Sequence, residues 1–319
     1  MSVAVTGATG FIGRHVVAHL VGSGVDVRAI VRPGTVCRPA LGTTVVTSTL
    51  ETPSLVQAFR GADTIVHLAG VVNAVSQREY AEVNVEGTRA VVNAAQAVNA
   101  RLIHISSLSV AGPASAAAPS TEDTPPDPMT PYGRSKLASE HVVRSATGLH
   151  WTILRPTIVY GPGDRSLLPL FRWAKRGILP IIGRRDAAYT FVHVSDVSRA
   201  IGAAIDGSAD GQVFFVGHPR IVTPADLDEH IRSAVGRRRA ITVPLPHAIV
   251  WLAALVAEGI GRTRGRPMPL NLARVRELWA SGFVCRVDRI REQLNVAAEV
   301  DLPEGLADTA AWYEREGWL

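Results

Sequence analysis

The chain has 319 residues, 47% of them hydrophobic, and a formal charge of +5 at pH 7, enough for one large domain and a smaller lobe around sizeable cores. Its longest apolar run, Ala248 to Ala257, is ten residues, where a membrane-spanning helix needs about 20. Two cysteines, Cys37 and Cys285, exclude a disulfide framework and a cysteine-built zinc site.

In chain order, Ser2-Val3-Ala4-Val5 reads as a buried parallel strand, and apolar residues recur at helical spacing from Arg14 to Val21. Between them lies Thr6-Gly7-Ala8-Thr9-Gly10-Phe11-Ile12-Gly13. A strand, a glycine turn and a helix start in this order bring bare backbone and free N–H groups to a phosphate. The turn therefore predicts a dinucleotide pyrophosphate resting on Gly7, Thr9, Gly10, Phe11, Ile12 and Gly13. Asp26 to Val31 is the second strand, followed by Arg32. A dinucleotide with a bare ribose 2′-hydroxyl is usually met here by an acid and a 2′-phosphate by an arginine. Arg32 therefore favours NADP(H) over NAD(H), with Arg14 a second candidate contact and a plain surface arginine the alternative.

Val45-Val46 forms a third strand and Pro53 to Phe59 a helix opened by proline. Asp63 to Gly70 is an apolar run whose end, Leu68-Ala69-Gly70, is expected at the cofactor. Gln77 to Val98 is a long amphipathic helix, in which Asn84 and Gly87 both lower helix stability and so suggest another role. Leu102 to Ile105 is a fifth strand, running into Ser106, Ser107 and Ser109. Strand ends facing the cleft carry the chemistry in such folds, and any of these hydroxyls could meet a substrate oxygen. Pro113 to Pro131 has loop composition and reads as an active-site flap. Helix resumes at Pro131 through Val143, and His150 to Leu154 is a sixth strand.

Tyr132 and Lys136 stand four apart on that helix, so they share a face. They make a workable acid–base pair, because a neighbouring ammonium favours the phenolate. No Gly-x-Ser-x-Gly elbow surrounds the serines, and no His-Glu-x-x-His spacing occurs among the histidines. Serine-hydrolase and zinc-hydrolase readings both fail, and no metal site is expected. His67, His104 and His193 sit singly on apolar strands as core residues.

Together, the glycine turn, His67-Leu68-Ala69-Gly70, Asn84-Val-Glu-Gly-Thr88, Ser107 and Tyr132-x-x-x-Lys136 resemble the extended short-chain dehydrogenase/reductase family. Arg155-Pro156 to Gly163 and Thr190 to Val197 resemble it too, so the likeness covers nearly the whole chain. It implies an α/β Rossmann-type doubly wound parallel sheet. Residues 1–165 would form the dinucleotide domain, with a later return near 190–216, and 166–319 mainly a smaller α/β substrate lobe.

The resemblance makes Tyr132 the general acid or base, Lys136 the ribose contact, and Ser107, five residues before Gly112, the donor to the substrate oxygen. It places Asn84 behind the lysine, and Thr49, Leu50 and Pro156 against the cofactor. Two departures stand out. Val31 replaces the acid of NAD-using sugar epimerases, and Thr49 replaces an aspartate that contacts adenine.

The tail from Val284, with Trp312-Tyr313 and Gly317-Trp318-Leu319, is similar to bacterial 3β-hydroxysteroid dehydrogenase-like and dihydroflavonol reductase-like members. The expected activity is hydride transfer between NADP(H) and a secondary alcohol or ketone on an apolar small molecule. A nucleotide-sugar epimerase or dehydratase holding NAD tightly is the alternative, and a non-catalytic dinucleotide-binding regulator is the third reading.

Among the partners, nucleic acid is not expected, since no aromatics interleave with the arginines. A homodimer is expected. Pro246 to Ile260 is apolar nearly all round and reads first as a buried helix of the small lobe. With Arg262, Arg264 and Arg266 behind it, the same stretch also suits a membrane surface. A first strand beginning at Ser2 leaves no room for a cleavable leader. The expected place is the cytoplasm, with peripheral membrane contact open.

Overall fold

The computed structural model describes residues 1–37 and 40–319. The first half alternates strand and helix: β1 Ser2–Thr6, α1 Phe11–Gly22, β2 Asp26–Val31, β3 Thr43–Thr47, α2 Thr52–Phe59, β4 Thr64–His67, α3 Gln77–Tyr80, α4 Gly87–Val98, β5 Arg101–Ile105, α5 Pro131–Arg144 and β6 Trp151–Pro156. The second half holds β7 Ile158–Tyr160, α6 Leu168–Lys175, β8 Ile178–Ile181, β9 Ala188–His193, α7 Val194–Ala204, β10 Gln212–Val216, β11 Ile221–Val222, α8 Pro224–Ala234, β12 Ile241–Pro244, α9 His247–Arg264, α10 Leu272–Leu278, β13 Gly282–Phe283, α11 Asp288–Leu294 and α12 Leu302–Arg315.

Seven strands form one parallel sheet in the order β10-β6-β5-β4-β1-β2-β3. The strand order reverses between β1 and β4, the crevice where such sheets bind ligands. Successive β1 side chains serve opposite faces, as the two-residue period requires. Val3 and Val5 meet Val16, Val17 and Leu20 of α1 and Ala200 and Ile201 of α7. Ala4 joins the other core with Phe59 of α2, Val91 of α4 and Val143 of α5. Both faces are thus covered, and this is why the central strands are uniformly apolar. β10 returns to the sheet edge beside β6, and α7 packs on α1.

A third core, around Tyr160, Phe171, Leu306 and Tyr313, builds the second lobe. Two expectations change here. The Pro113–Pro131 stretch is no free flap, because its backbone is paired: Ala114 and Ser120 amides donate to Gly282 and Val284 carbonyls at 3.0 and 2.9 Å, and Arg286 donates back to Ser120 at 2.8 Å. The apolar helix α9 is not buried either. Only Val250, Ala254 and Gly261 turn inward, and Val250 and Ala254 pack in one cluster with Val275 of α10. Hydropathy favoured burial, but one neighbouring helix covers only one stripe of it.

Candidate active site

The glycine turn closes on the end of β4. Gly7 has φ +70, and a Cβ there would lie 2.6 Å from the Ala69 nitrogen; at Gly13 a Cβ would lie 2.1 Å from the Gly7 carbonyl oxygen. Any side chain would therefore wedge the turn away from β4 and from its own helix. Gly10 caps α1 without a side chain, and the first turn carries no acid, so its amides remain available to an anion. Thr9, Phe11 and Ile12 lie in the same turn and helix start. The Thr6 hydroxyl ties the two strand ends together, bonding His67 Nδ1 at 2.8 Å and accepting from the Ala69 amide at 3.3 Å. Leu68 and Gly70 flank that amide. The bare cradle fits a dinucleotide pyrophosphate.

At the outer end of β2, Arg32 is exposed and forms no ion pair among the described residues. Arg14 turns elsewhere: its guanidinium donates to the Pro162 carbonyl at 3.1 Å and lies over the Phe11 and Trp312 rings. Gly163 is its immediate neighbour, where even a Cβ would collide with it. It pins the second lobe to α1 instead of extending the site at Arg32. Thr49 follows β3 and donates to Glu51 at 3.0 Å, while Leu50 packs partly into the sheet core. Pro156 ends β6 opposite Val216.

Across the crevice, Thr130 caps α5 by accepting from Gly133 at 3.2 Å, and Pro131 opens the helix. Gly133 lets this first turn press on the Ser109 carbonyl, 2.5 Å from where a Cβ would stand. The approach sets Tyr132 against Ser107; burial raises the phenol pKa and the Ser107 hydroxyl opposes it. Burial prevails, with the nearby Glu277 carboxylate adding to it, and the phenol is pushed up to about 12. One turn on, Lys136 is buried and its ammonium has no hydrogen-bond or ion-pair partner among the described residues. Burial lowers it to about 8, against an opposing pull from Glu140. An unpartnered ammonium beside the cradle suits ribose hydroxyls.

Of the three serines, Ser106 is committed, donating to Glu140 at 2.6 Å. Ser107 Oγ accepts from the Ser109 amide at 3.2 Å and touches Ser109 Oγ at 3.3 Å, so it remains at the strand end beside Tyr132. Asn84 is buried in a π-helical turn, Ala81–Glu86, between α3 and α4. It bonds both polar groups of Val71, at 2.8 and 2.9 Å, and donates to Ser135 at 2.9 Å. It thus fixes the loop after β4 and the α5 turn carrying Lys136, acting by position and not by touching the ammonium.

His67 bonds Thr6 and Thr88, and His104 bonds Ser139 at 3.0 Å. Burial first, then the Lys136 charge, holds His67 near 3 and His104 well below its ordinary value. Both stay neutral. His193 caps α7, bonding Ser195 at 2.7 Å.

Several participants escaped the motif reading. Glu140 and Arg155 form a buried bidentate pair, at 2.8 and 2.7 Å, joining α5 to β6 below the site. The available signal was a lone arginine ending an otherwise apolar strand. Tyr80 donates to the Val72 carbonyl at 2.9 Å, and its ring lies 6.4 Å from that of Tyr132. A cavity of about 890 Å³ opens in the second lobe, and none of Ser107, Tyr132 and Lys136 lines it. Tyr189 lines it and also packs with Leu108 and Ala111, which follow Ser107 in the chain. Arg274 and Leu278 of α10 line it on either side of Glu277.

Residues 3–217 match the model of the NAD dependent epimerase/dehydratase family. The chain belongs to that family. It is an NAD(P)-dependent enzyme of the extended short-chain dehydrogenase/reductase type. The ceramide reductase of Caulobacter vibrioides is 30% identical over 323 residues, covering 99% of this chain and 96% of that protein. A 4-hydroxy-2-methyl-3-oxo-4-farnesyl-3,4-dihydroquinoline-1-oxide ketoreductase of Stigmatella aurantiaca is 27% identical over 329 residues, covering 95% and 93%. Among solved structures, MoeE5 in complex with UDP-glucuronic acid and NAD superposes with a TM-score of 0.76 at 27% identity, covering 99% of this chain and 100% of that one. In this family member, no helix is long and apolar enough to cross a membrane, and no group of histidine, cysteine and acidic side chains could hold a metal ion, both among the described residues.

Proposed function

We propose that the protein is an NADPH-dependent reductase of a ketone carried on a large apolar molecule. The observation that carries this is the second-lobe cavity, partly walled by Ile158, Leu167, Leu170, Leu179, Ile181 and Phe191, whose wall residue Tyr189 also packs with Leu108 and Ala111. The same lining carries five arginines with Asp228 and Glu229, so the cavity suits a ligand with an apolar body and a polar or anionic end. The ceramide and farnesyl-quinoline names of the two relatives support an apolar substrate. Arg32, free at the end of β2, supports the 2′-phosphate.

Tyr132 holds its proton at neutral pH, so its phenol is set to give it to a carbonyl oxygen. Ser107 donates a second hydrogen bond to the same oxygen. Lys136 stabilises the phenolate left behind. The dinucleotide, when bound, supplies the hydride to the carbonyl carbon. Asn84 holds the Lys136 turn in register.

A second reading, a nucleotide-sugar epimerase holding NAD, draws on Arg185, Arg232, Arg238, Arg239 and Arg274 in the cavity wall, which suit a diphosphate. Nicotinamide absorbance separates the two. Net NADPH loss with long-chain or polycyclic ketones and none with UDP-sugars is expected. Interconversion of UDP-sugars without net cofactor change would overturn the reductase. A pure regulator would have little use for Ser107, Tyr132 and Lys136 together.

A further inference from the structure

We infer that α9 docks the protein on an acidic membrane surface. Ile249, Trp251, Leu252, Leu255, Val256 and Ile260 are each between 39 and 59% exposed. Apolar patches of this kind on a protein surface mark sites of interaction. From Ala240 to Ala257 the chain carries no Asp, Glu, Lys or Arg, so the outward face of α9 has no charge until its last turns.

There the sign is uniform. Arg262, Arg264 and Arg266 are all exposed, and neither Arg264 nor Arg266 has an ion-pair partner among the described residues. Glu258, the one acid of α9, is already bonded to Arg262 at 2.6 Å and to the Leu272 amide at 3.3 Å. A second copy of this face therefore offers no carboxylate to the free arginines. Anionic lipid headgroups beside an apolar interior offer both halves of the complement, and an exposed Trp suits the boundary between them.

Ile182 connects this surface to the cavity, since it packs in the cluster beneath α9 and also lines the cavity wall. Docking would bring that wall towards lipid, from which an apolar ketone could enter. This last step rests on the substrate reading above, whereas the docking does not.

The test is flotation of the full chain, without substrate or cofactor, on vesicles of phosphatidylcholine alone and of an equal mixture with phosphatidylglycerol. Binding to the mixed vesicles only is expected, falling at least about tenfold for L252E/V256E and for R264E/R266E, and falling with added salt. All four side chains are exposed and lie outside the cavity, so both variants should keep the wild-type melting temperature and cofactor binding. Should the glutamates on the apolar face prevent folding, R264E/R266E decides alone. No binding to mixed vesicles, equal binding by wild type and variants, or a dimer that L252E/V256E dissociates would overturn the proposal. Because substrate is absent, a failed ketone screen leaves this result intact, and the reverse holds too.

Discussion

Tyr132 and Lys136 are pulled in opposite directions by the same cause. Burial disfavours the charged form of each, so the phenol rises to about 12 and the ammonium falls to about 8. At neutral pH the pair is a phenol beside a cation, the state that reduction of a carbonyl requires. Lys136 carries its charge below about 8 and loses it above, so the reduction rate should be level through neutral pH and decline as pH rises through about 8. A kcat profile measured with NADPH checks this, and a rate that climbs steadily to pH 10 would contradict it. Arg32→Ala should raise the Kd for NADPH at least about tenfold and leave that for NADH nearly unchanged, because only the former places a phosphate against the guanidinium. Equal weakening of both would remove the 2′-phosphate assignment. The Tyr132–Lys136 spacing was readable because a helix fixes which residues share a face. Ser107 was singled out through the family resemblance, by its place five residues before Gly112, and the Glu140 bond gives the physical reason that Ser106 is committed elsewhere. The role of Arg14 was not legible, since its partner Pro162 lies 148 positions away.

At the scale of elements, α5 carries Tyr132 and Lys136, and three contacts tie it to its neighbours: the Thr130 cap, the Asn84–Ser135 bond and the Glu140–Arg155 pair. The pair is wholly inside, with Ser106 and Arg155 both on Glu140 Oε1. Breaking it by Glu140→Gln leaves Arg155 buried with a neutral partner and should cost about 3–5 kcal/mol, read from urea denaturation. A change under about 1 kcal/mol would mean that the guanidinium finds other partners. Sequence periodicity located the strands of the large sheet because a two-sided parallel sheet demands continuous apolar runs. It could not place α9, where hydrophobicity is the same whether a neighbour covers the helix or none does. Nor could it pair the Pro113–Pro131 stretch with residues 282–286, since hydrogen bonds between backbones leave no mark on composition.

At the scale of the molecule, the two lobes divide the work. The sheet supplies a bare-backbone cradle at its topological switch, and Tyr132, the proposed proton donor, lies across the crevice. The second lobe holds a cavity of apolar and arginine side chains, whose wall residue Tyr189 also packs with Leu108 and Ala111. Family membership follows from residues 3–217, whereas the proposed substrate cavity draws its lining from α6, β8, β9, α8, β12 and α10 together. No short motif could encode it. In the proposed NADPH-dependent reduction, Tyr132 delivers a proton to the ketone oxygen. The direct measurement compares wild type and Tyr132→Phe for NADPH oxidation by an apolar ketone, alongside NADPH titration of both proteins. A rate lower by about 10²–10⁴ with an unchanged NADPH Kd is expected; a variant that reduces the ketone as fast as wild type would show that Tyr132 is not the proton donor.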